Sequence, residues 1–441
     1  MSRAKQYRAG QKFLAQARAT WRFLHDPEIT TFMGHLGDRL VAASPSPQLR
    51  FRFFVIKNPV VNAFSVPGGF VFVNTGLILA AQNEDEMAAV LSHEISHVTQ
   101  RHIARLMALS NHLSWAELLG LLAGAALLGA SQYNGGIAAL SISSASLANI
   151  ELEHRRGYES EADHIGLRTM TRAGFNPHAM AAFFMRLKTA NQFMSDSGIP
   201  ESWRTHPATD IRISEAENLA ARYPNPPIPD RPAFDRLQAA VAADTLTPRA
   251  ARTWLVSNLG ARHDGQALHF GLALLALRAG HWDRAHTILS ALLAQHPTVV
   301  AYHLAAARLA LRTGAAETAV RQLRQAARLR PGSVRLAASA DETLLEIHPR
   351  AALKSIERLV RRHPRLSSTY RLLARAFAYR EDYVHAHEAL AEAEYLDGNR
   401  RAALRDLHFA AAIARTPGAK ARAAAQIAGI KNHVPVPPAF P

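Results

Sequence analysis

The chain has 441 residues, room for two or three domains that each bury a core, and 48% of them are hydrophobic, which is a globular composition and not a disordered one. It holds no cysteine, which excludes disulfides and thiolate metal sites and leaves the redox compartment open. The formal net charge of +16 suits an anionic partner, but no nucleic-acid-binding fold or interleaving of basic and aromatic residues accompanies it, so nucleic acid is not expected.

In chain order, residues 4–25 and 27–43 read as two helices, the second opened by Asp26-Pro27-Glu28, an N-cap with proline at the first helical position. The basic start runs into an amphipathic stretch, so the sequence as written is expected to carry no secretory leader. Strands are expected at Arg50 to Lys57, Val60 to Phe64 and Phe70 to Val73, the last two joined by the turn Pro67-Gly68-Gly69. A free edge at Asn62, Ala63, Phe64, Phe70 and Val71 could accept an extended peptide as an added strand. A small sheet that only packs on a helix accounts for the same residues.

From Asn83 to Leu106 the sequence predicts one unbroken helix. Asn83 is a good N-cap, Glu84, Asp85 and Glu86 suit the positive helix end, and Met87, Leu91, Val98, Ile103 and Leu106 form an apolar stripe without Pro or Gly. Inside it lies His93-Glu94-Ile95-Ser96-His97. Residues four apart on a helix stack, so His93 and His97 present two imidazoles to one point. Zinc takes neutral imidazoles and polarises a water, and a neighbouring carboxylate such as Glu94 can remove its proton. Two satisfied core histidines are the plainer alternative, and a third ligand must decide. The glycine and histidine that a metzincin needs are replaced by Gln100 and Ile103, which excludes that class.

No residue between Glu117 and Glu151 carries a formal charge. The apolar run there is too short to span a bilayer, and a buried or self-plugging hairpin is expected before a peripheral membrane contact. Glu151 to Ala173 reads as a polar helix on which Glu159 and Asp163 share a face while Glu161 points away. One of the two carboxylates can bind zinc and the other can hold the outer nitrogen of a ligand histidine. A helix over 177–194 is followed by His206-Pro207 ahead of a helix bearing Arg212. These two could supply a donor or cation to an oxyanion, although His206 taken alone reads more readily as a turn histidine.

A proline-rich connector at 223–232 and atypical helices to residue 263 close a first domain of residues 1–222. Gly280 and Gly314, Ala285 and Ala319, and Pro297 and Pro331 then recur at the 34-residue period of tetratricopeptide repeats. Units at 266–299, 300–333, 334–366 and 367–400, with a cap at 401–431, predict a repeat domain over 264–431, and a proline-rich tail occupies 432–441. Most of the basic excess lies in this half, for example at Arg358, Arg361, Arg362 and Arg365. It could face acidic partners, anionic lipid or the catalytic domain, or simply be solvated.

Five segments together resemble one family: Val61-Asn62-Ala63-Phe64, Pro67-Gly68-Gly69, His93 to His102, Glu159-Ser160-Glu161-Ala162-Asp163-His164-Ile165-Gly166, and His206-Pro207 with Arg212. They occur in this order in gluzincin metallopeptidases related to the CAAX prenyl protease, and the soluble, repeat-bearing branch is the nearer match. The resemblance implies that His93, His97 and Glu159 bind one Zn2+, that Glu94 is the general base and that Asp163 stands behind the ligands. It places His206 at the metal, as a fourth ligand that plugs the site or as a transition-state donor, with Arg212 in support. The expected architecture is mainly α: a helical zincin-like peptidase domain with a small β-sheet, then a tetratricopeptide α-solenoid. The resemblance further implies an endopeptidase of the periplasm whose repeats bring in unfolded or misassembled clients, namely outer-membrane barrel proteins and the machinery that inserts them. Two rivals stand beside it: a non-catalytic chaperone or scaffold with a plugged zinc domain, and a cytosolic protease with other clients.

Overall fold

Capping chemistry starts the helices where the sequence puts it. In the computed structural model, which describes residues 2–24, 26–109, 145–193, 209–227, 231–260, 262 and 265–431, Ser2 caps α1 (Arg3–Thr20) and Asp26 caps α2 (Pro27–Ala43), accepting from Glu28 N at 2.9 Å. Strands β1 (Arg52–Ile56), β2 (Ala63–Val66) and β3 (Phe70–Asn74) form one sheet in the order β1-β3-β2. The β2–β3 hairpin turns through Gly68 (φ 93°) and Gly69 (φ 85°), where a Cβ on Gly69 would lie 2.2 Å from the Arg50 carbonyl oxygen. α1 covers the sheet. Phe13 and Trp21 meet Phe64 and Phe72 edge to face at 5.4–6.1 Å. Burying one such ring is worth about 1.5–3 kcal/mol, and the ring geometry adds roughly 0.5–1.5 kcal/mol.

The sheet order corrects one expectation. β1 pairs in parallel with the far side of β3, so Phe70 and Val71 sit on the central strand with backbone neighbours on both sides. They offer no edge to a peptide. Asn62, Ala63 and Phe64 lie at the outer strand, β2, whose one strand neighbour among the described residues is β3.

After α3 (Thr75–Ala80) comes the central helix α4 (Glu84–Thr99), packed against α2, β2, α6 (Ala145–Arg172) and α7 (His178–Phe193). Asn83 caps it, accepting from Glu86 N at 2.9 Å, and Glu86 reaches back to Gln82 N at 2.8 Å. The helix expected to run to Leu106 is broken. Gln100 closes α4, Arg101 takes a left-handed φ of 58°, and α5 (His102–Leu109) leaves in a new direction. No Pro or Gly marks this break, which is why composition hid it. Residues 110–144 of the expected hairpin lie outside the described residues, and 145–150 form the first turns of α6.

Next come α8 (Asp210–Ala220), α9 (Pro232–Thr245), α10 (Pro248–Leu259) and α11 (Gln266–Ala279). Gln238 on α9 donates to the carbonyls of Ile78 and Ala81 at 2.8 and 2.7 Å, satisfying buried acceptors at the C-terminal end of α3, and Phe234 meets Phe32 at 6.1 Å. The chain divides into two compact units, Met1–Leu275 and Ala276–Pro441.

The second unit is a run of antiparallel helix pairs. α12 (Trp282–Gln295) is followed by α13 (Val300–Arg312) with α14 (Ala316–Leu329), α15 (Val334–Ile347) with α16 (Pro349–Arg362), and α17 (Ser367–Ala378) with α18 (Tyr383–Leu396). The last two, α19 (Arg400–Ile413) and α20 (Pro417–Lys431), close the run. Gly280 and Gly314 hold left-handed turns between helices, and the periodic Ala285, Ala319, Ala352 and Ala386 are buried where helices touch. No helix among the described residues is long and apolar enough to cross a membrane.

Candidate metal centre

Two helices make the site, and small residues let them meet. On α4 the i, i+4 spacing brings His93 Nε2 and His97 Nε2 to 3.0 Å. α6 packs on α4 so closely that a Cβ on Gly166 would stand 3.1 Å from His93 N. This approach carries Glu159 in: its Oε2 lies 3.4 Å from His93 Nε2 and its Oε1 3.4 Å from His97 Nε2. A tetrahedral ion with bonds of about 2.0–2.1 Å to nitrogen and oxygen spaces its ligand atoms about 3.3–3.4 Å apart. The three donors, mutually within 4.8 Å, match that spacing and could hold a metal ion. Two imidazoles and one carboxylate suit a borderline divalent cation.

Behind the donors sits a buried charge network. Asp163, one helical turn beyond Glu159, accepts from His93 Nδ1 at 2.8 Å, which directs Nε2 at the metal point. Arg212, in the first turn of α8, donates through Nε and Nη2 to the two Asp163 oxygens at 2.7 and 2.8 Å, and its Nη1 lies 3.2 Å from Glu159 Oε2. The Phe184 ring lies 4.6 Å beneath the guanidinium. Burial works to keep the His93 imidazole neutral, yet hydrogen bonds and charge from Asp163 and Glu159 outweigh it and push its pKa up to about 10. Burial would raise the Asp163 carboxyl, but His93 and Arg212 hold it below the ordinary range. The same anionic field that holds a proton on His93 favours a cation at its Nε2. Glu94 is buried beside His93 on α4 and adds to the field felt by Arg212.

The structure thus brings together His93, His97, Glu159, Asp163, Glu94 and Arg212. Arg212 differs from its expected role at an oxyanion: its guanidinium braces the Asp163 and Glu159 carboxylates from behind. His206 lies outside the described residues. Sequence reasoning missed a second set. His102, delivered by the turn at Arg101, faces His97 Nδ1 with its own Nδ1 at 2.9 Å, while its Nε2 lies 3.2 Å from Glu161 Oε2. Arg105 holds the same Glu161 oxygen at 2.8 Å, and the His102 ring stacks on Tyr158 at 4.7 Å and 14°. Glu161 does point away from the metal point, but to this purpose. A histidine five residues after His97 was the available signal. An unbroken helix would have turned it elsewhere. Beside His97, the residues Ser65, Val66, Val98, Arg101 and Ile103 line a cleft at the end of β2.

Residues 31–220 match peptidase family M48. The beta-barrel assembly-enhancing protease of Yersinia pestis is 32% identical over 387 residues, 84% of this chain and 76% of that protein. The chain belongs to peptidase family M48. The Escherichia coli protein of the same name is 31% identical, covering 86% of the peptidase described here and 78% of its own length. The mitochondrial metalloendopeptidase OMA1 of Schizosaccharomyces pombe is 33% identical over 188 residues, 43% of the peptidase and 52% of that protein. The peptidase is a metalloendopeptidase, as its ordered motifs led one to expect, and its second unit consists of helical repeats.

Proposed function

We propose that the peptidase is a zinc enzyme of the periplasm that cleaves unfolded or misassembled clients of outer-membrane barrel assembly, with His93, His97 and Glu159 as metal ligands and Glu94 as general base. One observation carries the catalytic part: two imidazole nitrogens and a carboxylate from separate helices converge at the spacing of a tetrahedral ion. Zinc held by His93, His97 and Glu159 would supply Lewis acidity toward a peptide carbonyl and would lower the pKa of a water. Glu94 would take a proton from the attacking water as its oxygen bonds to the carbonyl carbon, and would return that proton to the amide nitrogen as the C–N bond breaks. Asp163 keeps the His93 proton on Nδ1, and Arg212 keeps Asp163 ionised and holds both carboxylates in place.

An extended substrate adds to the outer edge of β2 at Asn62, Ala63 and Phe64, which brings one of its carbonyls past His97 toward the cleft at Val66 and Val98. The pairing of β2 with β3 alone among the described strands and the packing of α4 on β2 support this path. The names of the bacterial relatives support the client class and compartment, and the helical repeats support a client-gathering surface. Glu94→Gln tests the chemistry. The variant is expected to keep bound zinc at one per chain while casein cleavage falls at least about a hundred-fold. Unchanged cleavage removes Glu94 from the mechanism, and a purified parent without stoichiometric metal removes the zinc site.

A further inference from the structure

The Arg101 turn has a chemical result at the metal centre. A left-handed φ of 58° at a non-glycine residue costs of order 1 kcal/mol, and such strain persists where surrounding structure fixes it. Here it turns the chain so that His102, 2% exposed, lays its Nδ1 against the outer nitrogen of His97. The directions of these hydrogen bonds follow from the donor inventory. Nε2 of His97 must present a lone pair to the metal point, so the single ring proton of the neutral imidazole is on Nδ1. Nδ1 of His102 must then accept, which leaves the His102 proton on Nε2, and that nitrogen faces Glu161, an acceptor when ionised. Arg105 keeps Glu161 ionised, and the Tyr158 ring fixes the plane of His102.

We propose that His102 and Glu161 are positioning residues that fix the proton of His97 on Nδ1 and so turn its Nε2 lone pair to the metal. The inference rests on the zinc reading above. It gives the two histidines different supports: His93 leans on a carboxylate directly, His97 on a neutral imidazole polarised by a carboxylate one step further out. Glu161 sets the polarity of the chain. With an uncharged amide in its place, His102 can carry its proton on Nδ1 instead. That proton faces His97 Nδ1 and drives the His97 proton onto Nε2, where it blocks the metal.

The test is zinc affinity of the full chain by competition with a chromophoric chelator, together with the visible spectrum of the cobalt-substituted protein. His102→Phe keeps ring volume and the stack on Tyr158 but removes the acceptor; Glu161→Gln keeps shape but removes the charge. His102→Phe is expected to weaken zinc about 10–100-fold and to alter the cobalt bands, with Glu161→Gln losing affinity by a smaller factor. A merely structural role predicts a lower Tm for the metal-free chain with zinc affinity and cobalt spectrum unchanged, and that result overturns the inference. Should His102→Phe fail to fold, Glu161→Gln carries the same decision, since its side chain is one-third exposed. Parent protein that binds no zinc, like a His93→Ala control, sinks the zinc reading itself; parent that binds while both variants bind equally sinks only this inference.

Discussion

Replacing Arg212 by leucine removes the cation that two buried carboxylates share. Asp163 is 1% exposed and Glu159 8% exposed, so neither can turn to bulk water for compensation. Arg212 makes two charge-assisted hydrogen bonds to Asp163 and an ion pair to Glu159. Each such bond is worth about 1.5–3 kcal/mol, and breaking a buried pair by removing one partner costs about 3–5 kcal/mol. The latter range is expected for Arg212→Leu, since His93 still serves Asp163. Lysine at 212 restores the charge but cannot span both Asp163 oxygens and Glu159, so it recovers only part. Urea unfolding of the chelator-treated chain, followed by tryptophan fluorescence at pH 7, measures the loss. The pH dependence has a definite sign. The folded-state pKa of Asp163 is depressed, so its stabilisation is present above its ordinary value of 3.8 and is lost as pH falls through the folded value. The gap between parent and leucine variant should therefore narrow below about pH 4. A loss under about 1 kcal/mol at pH 7, or a gap that widens in acid, would refute the bracing role.

Gly166→Ala sets a methyl group 3.1–3.2 Å from the backbone of Ser92 and His93, so α6 must withdraw from α4 by a few tenths of an ångström. Overpacking of this kind costs about 1–3 kcal/mol, and zinc retention against a chelator should weaken; unchanged retention would show that the helix approach is not tight. In the repeat unit, Glu388 is 1% exposed, neither carboxylate oxygen meets a hydrogen-bond partner among the described residues, and Arg422 stands 3.6 Å away. Burial raises its pKa against the pull of Arg422, so in the window above 4.5 the folded state holds the extra proton and stability falls as pH rises. Glu388→Gln should raise the Tm of that transition at pH 8 and leave it unchanged at pH 4, and calorimetry showing a pH-independent shift would remove Glu388 as the cause.

The sequence by itself determined whatever depends on near neighbours in the chain. Asp26, Asn83 and Thr209 cap helices because a side-chain oxygen reaches an amide two or three residues on. His93 and His97 face one point because a helix repeats every 3.6 residues, and the repeat period exposes itself by recurrence of Gly and Ala. Glu159 and Asp163 were legible as a pair on one face, and the family resemblance assigned Glu159 to the metal, but helix periodicity alone did not say which of them would reach the imidazoles. That was decided by how closely α6 approaches α4 at Gly166, a packing distance that no local pattern encodes. Only the tertiary structure put β1 against β3 and so left β2 as the outer strand, because a parallel pairing joins segments that are not adjacent in sequence. It likewise bent the chain at Arg101 and set His102 on His97. Helix propensity there favours continuation, and the contacts of His102 with His97, Glu161 and Tyr158 override it.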